Sequence, residues 1–154
     1  TKKGYDVGVL IEFINNILYG ENVMNIAVIG MGHLGQAITK YFNSKQLKLK
    51  ITAAFDIDPD KVGKTIDDIP CYAMSDFEEV MENNDISIVV LSLPAKAATE
   101  LVVPIINAGI KGVLNFTSAP LNFPQGIFVE NYDITTILEK VAYFVKASEE
   151  SENN

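Results

Sequence analysis

Asn25-Ile26-Ala27-Val28-Ile29-Gly30-Met31-Gly32-His33-Leu34-Gly35-Gln36-Ala37-Ile38-Thr39-Lys40-Tyr41-Phe42, closed a little later by Ile51-Thr52-Ala53-Ala54-Phe55-Asp56, decides the fold. Ile26 to Ile29 is a short apolar run. Gly30 to Gly35 is a turn of the form G-x-G-x-x-G. Gln36 to Phe42 is helix-like, and a second apolar run, Ile51 to Phe55, ends on Asp56. The order is strand, glycine-rich turn, helix, strand, acid. Each part has a task if a dinucleotide sits there. Gly30 permits the tight turn, Gly32 lets the backbone approach a pyrophosphate, and Gly35 lets the helix pack closely on the strand. The first N–H groups of the helix, at its positive dipole end, then face the phosphates. Asp56 accepts hydrogen bonds from the ribose hydroxyls and repels a 2′-phosphate, which favours NAD over NADP. A glycine turn that binds nothing explains Gly35 but not three glycines at this spacing. The flanking strand, helix and acid carry the nucleotide reading.

Working outward, 154 residues suit one domain, and an apolar fraction of 48% is ample for a core. The net charge of −8 argues against a nucleic-acid surface on this chain, because phosphate contacts need clustered Lys and Arg. Cys71 is the one cysteine, so no internal disulfide is possible and a reducing cytoplasm is the expected home. There is no apolar run of about 18 residues to span a membrane. The first residues lack the apolar centre of a signal peptide. They also lack a Met start, so a fragment of a longer protein is expected. The last residues, 148–154, hold three Glu and no base, and read as a disordered acidic tail.

Upstream of the glycine turn, Val7, Leu10, Ile11, Ile14, Ile17 and Leu18 fall on one face of an expected helix that Gly20 ends. This makes residues 1–20 a linker helix ahead of a domain at 21–147. Downstream, Pro59 to Gly63 reads as a turn, and Ile69 to Ala73 as a short strand. Ser75 is the expected N-cap of a helix, with Glu78 as capping-box partner. Ile86 to Leu93 reads as a strand buried on both faces, ended by Pro94. Ala95 to Ala108 reads as a helix kinked or broken by Pro104. Gly112 to Phe116 and Ile127 to Glu130 are further strands. A final helix, 133–147, carries Ile134, Ile137, Leu138, Val141, Phe144 and Val145 as a wide apolar stripe. Alternating strands and helices predict an α/β, Rossmann-type, doubly wound and mainly parallel sheet.

Single residues have competing readings. His33 can meet a phosphate through its backbone, but it lies at the wrong end of a dinucleotide to be a base for substrate chemistry. Cys71 reads as a core residue. Tyr41 and Phe42 are packing residues by default. Phe116 is either core or a wall of a nicotinamide pocket, since it follows a strand at the carboxyl edge, where ligands bind in this class.

Taken together, Gly4-Tyr5-Asp6-Val7, the glycine turn, Phe55-Asp56-Ile57-Asp58-Pro59-Asp60-Lys61-Val62-Gly63, Leu93-Pro94-Ala95, Gly109-Ile110-Lys111-Gly112-Val113-Leu114-Asn115-Phe116 and Val129-Glu130-Asn131 resemble Rex, the bacterial redox-sensing transcriptional repressors. The resemblance runs from about Gly4 to Val145. Where that family often has Ala-Pro after Asn-Phe, this chain has Thr117-Ser118-Ala119-Pro120. The resemblance implies a regulatory domain without the winged-helix domain that touches operator DNA. It implies a homodimer whose C-terminal helix is exchanged between subunits, and a cofactor that is sensed and not consumed, with NADH preferred. It also implies that Tyr41 lies near the nicotinamide and that Asp133 is contributed by the partner subunit. The expected cofactor contacts are therefore Gly30, Met31, Gly32, His33, Leu34, Gly35, Asp56, Pro94 and Phe116, with Tyr41 and Asp133 added by the resemblance. Two other functions stay open: the NAD-binding domain of a dehydrogenase, and a coenzyme A-binding module.

Overall fold

The computed structural model describes residues 6–19, 23–44 and 48–154. A helix, α1 (Val7–Tyr19), precedes the sheet, while its expected terminator Gly20 lies outside the described residues. Val7, Val9, Leu10, Ile11 and Ile14 of α1 are exposed. Then come β1 (Met24–Ile29), α2 (His33–Asn43), β2 (Leu49–Phe55), β3 (Thr65–Ile66), β4 (Ile69–Tyr72), α3 (Phe77–Asn83), β5 (Ile86–Leu91), α4 (Ala95–Glu100), α5 (Val102–Asn107), β6 (Gly112–Asn115), β7 (Phe128–Asn131) and α6 (Ile134–Glu152).

The strands form one sheet in the order β3-β4-β2-β1-β5-β6-β7. Only β3 pairs antiparallel, with β4; the other pairs are parallel. The chain runs outward from β1 through β2, then returns to place β5 on the other side of β1. That reversal at β1 and β5 is a topological switch point, and the crevice it opens lies outside the carboxyl ends of the strands.

Successive strand residues point to opposite faces, and both faces of this sheet are apolar. Ala27, Ile29, Ala53, Phe55, Val89, Leu91 and Val113 form one core with Phe77, Val80 and Met81 of α3 and with Ile105 of α5. Ile26, Val28, Ile51, Ala54 and Val90 form the other, with Met31, and with Ile38 and Phe42 of α2 against it. Helices therefore cover both faces, as a doubly wound sheet requires. Phe55 has no exposed surface and sits between Tyr72 and Phe77, with ring centroids 5.8 and 5.3 Å away. A buried aromatic of this kind is worth about 3–5 kcal/mol relative to alanine.

Three local expectations are corrected. The capping box at Ser75 and Glu78 does not form: Met74–Asp76 is a 3-10 turn, and α3 starts at Phe77 without a side-chain cap. The 3-10 turn supplies backbone bonds where the hydroxyl was expected to act, among them Asp76 N–H to the Ala73 carbonyl at 3.0 Å. The helix expected over 95–108 breaks at Leu101, so that Pro104 falls in the first turn of α5, where its missing N–H costs nothing. The expected tail at 148–154 is helical through Glu152. Helix propensity favours that run of Ala, Ser and Glu once α6 is nucleated.

Candidate functional site

The glycine turn sits at the switch point, and its three glycines do three different things. Gly30 has φ +100°, and a Cβ there would strike the backbone carbonyl of Ser92. A Cβ on Gly35 would strike the carbonyl oxygen of Gly30, so only glycine lets α2 come this close to the end of β1. A Cβ on Gly32 would meet nothing within 4 Å. Gly32 is thus dispensable for packing and faces open space at the N-terminus of α2, where anions are stabilised by unpaired N–H groups.

The turn is strapped from both sides. Gly30 N–H donates to the Phe55 carbonyl at 2.8 Å, and Ser92 N–H to the Ile29 carbonyl at 2.9 Å. Ser92 Oγ donates to the Gly30 carbonyl at 2.7 Å. Gln36 Nε2 donates to the Met31 carbonyl at 2.9 Å. Inside α2, the fully buried Thr39 donates its hydroxyl to the Gly35 carbonyl at 2.8 Å.

Asp56 ends β2 and joins the turn directly. Its Oδ2 accepts the Met31 N–H at 2.7 Å, and its Oδ1 accepts the Asp58 N–H at 2.9 Å. Lys61 Nζ lies 4.0 Å from Oδ2. A carboxylate has about four lone-pair sites, so two remain for a ligand's hydroxyls. Asp56 also acts on Cys71, the buried thiol of β4. Burial, and secondarily the Asp56 carboxylate, pushes that thiol above its ordinary value, against a smaller opposing effect of Lys61.

The other expected residues are distributed along the same strand ends and on two helices. His33 and Leu34 open α2 and are exposed. Pro94 is the N-cap residue of α4, just past β5. Phe116 follows β6, donates its N–H to the Leu91 carbonyl at 3.0 Å, and packs on the core cluster that holds Met31. It is half-buried, packed on the core from one side. Tyr41 is on α2, 57% exposed, with its ring edge-on to Phe42 at 5.3 Å. Asp133 caps α6: Oδ1 accepts from Thr135 N–H at 3.1 Å and Oδ2 from the Thr136 hydroxyl at 2.9 Å. The fold brings the glycine turn and Asp56 into contact and puts Met31 and Phe116 into one cluster. Tyr41 and Asp133 are carried by other elements, α2 and the N-terminus of α6.

A model of the CoA binding domain family matches residues 21–119. The chain belongs to that family. It is also a homologue of Rex. It is 40% identical over 143 residues to the redox-sensing transcriptional repressor Rex of Listeria welshimeri, covering 93% of this chain and 66% of that protein. To Rex of Leuconostoc citreum it is 37% identical over 142 residues, again covering 66% of the relative. The chain spans about two thirds of the length of these curated relatives. Among solved structures, it matches the crystal structure of RSP, a Rex-family repressor, with a TM-score of 0.80 at 29% identity, over 98% of this chain and 72% of that one. RSP is also described in complex with beta-NADH, and with beta-NAD+ and operator DNA.

Three residues at this strand edge make contacts that sequence reasoning did not anticipate. Ser92 fixes the Gly30 carbonyl. Asn115 ties together the loop after β6. Tyr132 pairs edge-on with Phe116, ring centroids 5.6 Å apart. Ser92 and Tyr132 act through residues distant in the chain, Gly30 and Phe116, while Asn115 joins its own loop at Thr117 and Ala119 to Asn131. The position of Ser92 after a buried strand was the available signal for the first.

Proposed function

We propose that this chain is the NAD(H)-binding, redox-sensing regulatory domain of a bacterial transcriptional repressor. The observation that carries it is the contact of Asp56 with the glycine turn at the switch point, in a chain homologous to Rex. The fit to a dinucleotide is local and physical. Gly32 leaves open space where a pyrophosphate would lie. Met31 to Gly35 line the phosphate side, and the spare acceptor sites of Asp56 face an adenosine ribose. The nicotinamide half then runs the other way along the strand ends, past Pro94 toward Phe116. RSP, bound to beta-NADH in one structure and to beta-NAD+ and operator DNA in another, supports the same reading.

The cofactor supplies a redox signal: its ring is positively charged when oxidised and neutral when reduced. A carboxylate such as Asp133, brought in by a second subunit beside Tyr41, distinguishes the two forms by charge. Unequal affinity of two dimer arrangements for the two forms is what shifts the equilibrium. In this reading NADH is preferred, the cofactor is sensed and not turned over, and the protein works as a homodimer in the cytoplasm. Operator contact falls to a part of such repressors outside the matched stretch, in keeping with the net charge of −8 here. Among the described residues, no helix is long and apolar enough to cross a membrane.

The family description favours one other ligand, coenzyme A. Its ribose carries a phosphate, which the Asp56 carboxylate repels. One isothermal titration with NADH, NAD+, NADPH and coenzyme A separates the readings. NADH should bind most tightly and persist unoxidised when small carbonyl compounds are added. Tighter coenzyme A binding would overturn the proposal, and turnover of NADH would favour a dehydrogenase.

A further inference from the structure

Asn115 ends β6 with 1% of its surface exposed. Its side-chain amide uses its full hydrogen-bonding capacity, two donors and two acceptor sites. Nδ2 donates to the Ala119 carbonyl at 3.1 Å and to Asn131 Oδ1 at 2.9 Å. Oδ1 accepts the Thr117 N–H at 3.0 Å and the Thr117 hydroxyl at 2.7 Å. Thr117 Oγ1 in turn accepts the Ala119 N–H at 3.1 Å. The backbone of the same residue completes the knot, because the Asn115 carbonyl accepts the Tyr132 N–H at 2.9 Å. One buried amide therefore joins the loop 116–119 to the end of β7.

Two aromatic residues leave the sheet from this knot. Phe116 is the next residue after Asn115, and Tyr132 hangs from its carbonyl. Their rings meet at 5.6 Å with an interplanar angle of 68°. The pair stands at the carboxyl ends of β6 and β7. The glycine turn stands at the end of β1, with β5 between, and strands are about 4.8 Å apart. Asp56 lies on the opposite side of that turn. A dinucleotide with its adenosine at Asp56 thus has its nicotinamide on the aromatic side.

We propose that Asn115 is the positioning residue for the nicotinamide end of the site, holding the Phe116–Tyr132 pair in place through its amide. This rests on the dinucleotide reading above. The amide touches no ligand atom; it acts by fixing the two rings. Its loss leaves the Thr117 donors and the Ala119 acceptor unpaired in a buried place and releases the exposed Asn131 from the loop. This loosens the loop but leaves the glycine turn and Asp56 strapped by their own bonds.

The test compares NADH with adenosine diphosphate ribose, which keeps the pyrophosphate and both riboses but lacks the nicotinamide. Affinities of the full chain are measured by calorimetry for the wild type, Asn115→Leu and Thr117→Val. Asn115→Leu should weaken NADH about tenfold while adenosine diphosphate ribose stays within about twofold. Thr117→Val should shift the same ratio in the same direction by less. Retained adenosine diphosphate ribose binding shows that the variants fold. If Asn115→Leu fails to fold, an unchanged ratio in Thr117→Val overturns the proposal. Equal loss of both ligands, or of neither, overturns it too. A wild type that binds neither ligand refutes the dinucleotide reading itself, a different outcome.

Discussion

At the scale of single residues, Asp56 is occupied from three directions before any ligand arrives: by Met31 N–H, by Asp58 N–H and, at 4.0 Å, by Lys61. It straps the glycine turn and, in the function proposed above, is also the discriminating acid. Asp56→Ala should therefore weaken NADH and narrow its advantage over NADPH, as titration of both cofactors would register. An unchanged ratio would remove Asp56 from the specificity argument. Cys71 makes a separate point. Its raised pKa means that the folded chain holds the thiol proton to higher pH than the unfolded chain does. The associated stability is fully present below the ordinary thiol value of 9.0 and is lost as pH rises through the folded value. Iodoacetamide at pH 8 should label Cys71 slowly in the native protein and readily in urea, and urea midpoints should fall above pH 9 more in wild type than in Cys71→Ala. Equal native and denatured labelling would count against a buried, neutral thiol. The glycine turn and its contact with Asp56 were legible because strand, tight turn, helix and next strand follow one another at a fixed spacing in one chain segment. Ser92 was not, because its partner is 62 residues away, and the cross-strand bond of Asn115 goes to a residue 16 away.

At the scale of elements, strand positions followed from apolar runs, since a parallel sheet covered on both faces needs unbroken apolar strands. Helix ends were less legible. Ser75 caps no helix, because a 3-10 turn satisfies the backbone groups there. The acidic end of α6 was misjudged for a related reason. Charge pattern suggested a solvated tail, and a solvated helix has the same pattern. The β3–β4 hairpin was half legible. Its second strand was expected, but its turn was not. Ile66 pairs with Ile69, so the loop is Asp67-Asp68, and both residues have positive φ, 49° and 66°. That is the type I′ geometry, which strongly prefers glycine or asparagine. Asn43 Nδ2 donates to the Asp67 carbonyl at 2.9 Å and fixes the turn against α2. Asp68→Gly should therefore stabilise the protein by about 0.5–1 kcal/mol, because the left-handed conformation costs an L-residue more than glycine loses in chain entropy. A higher urea midpoint with an unchanged slope would register it, and a lower midpoint would mean that the Asp68 side chain contributes more than its strain costs.

At the scale of the whole molecule, α6 has 19 residues and not one of them is buried. Ile137, Val141, Phe144 and Val145 lie exposed along this helix, and Ile134 and Leu138 extend the apolar stripe. Leu138 and Phe144 are 66% and 60% exposed. A helix of about 28 Å carrying such a stripe needs a cover. The sheet does not supply it, because its two faces are closed by α2, α3 and α5. We propose that a second copy does, by two-fold exchange of α6, which buries both stripes at once. Asp133 is the cap of the same helix, so the exchange also carries its carboxylate toward the partner's cofactor site. Dimer geometry and sensing then share one element. Sedimentation of the intact chain at micromolar concentration should give a dimer. Ile137→Asp with Val141→Asp should give monomers and weaken NADH binding, because unpaired carboxylates are costly to bury. Truncation after Asn131 should do the same. The two variants separate two roles, since the first keeps the Asp133 cap and the second removes it. If both abolish the dimer but only the truncation weakens NADH, the helix holds the dimer while the cap senses the cofactor within one subunit. An intact chain that sediments as a monomer, or a doubly substituted chain that stays dimeric with full NADH affinity, would refute the exchanged-helix arrangement.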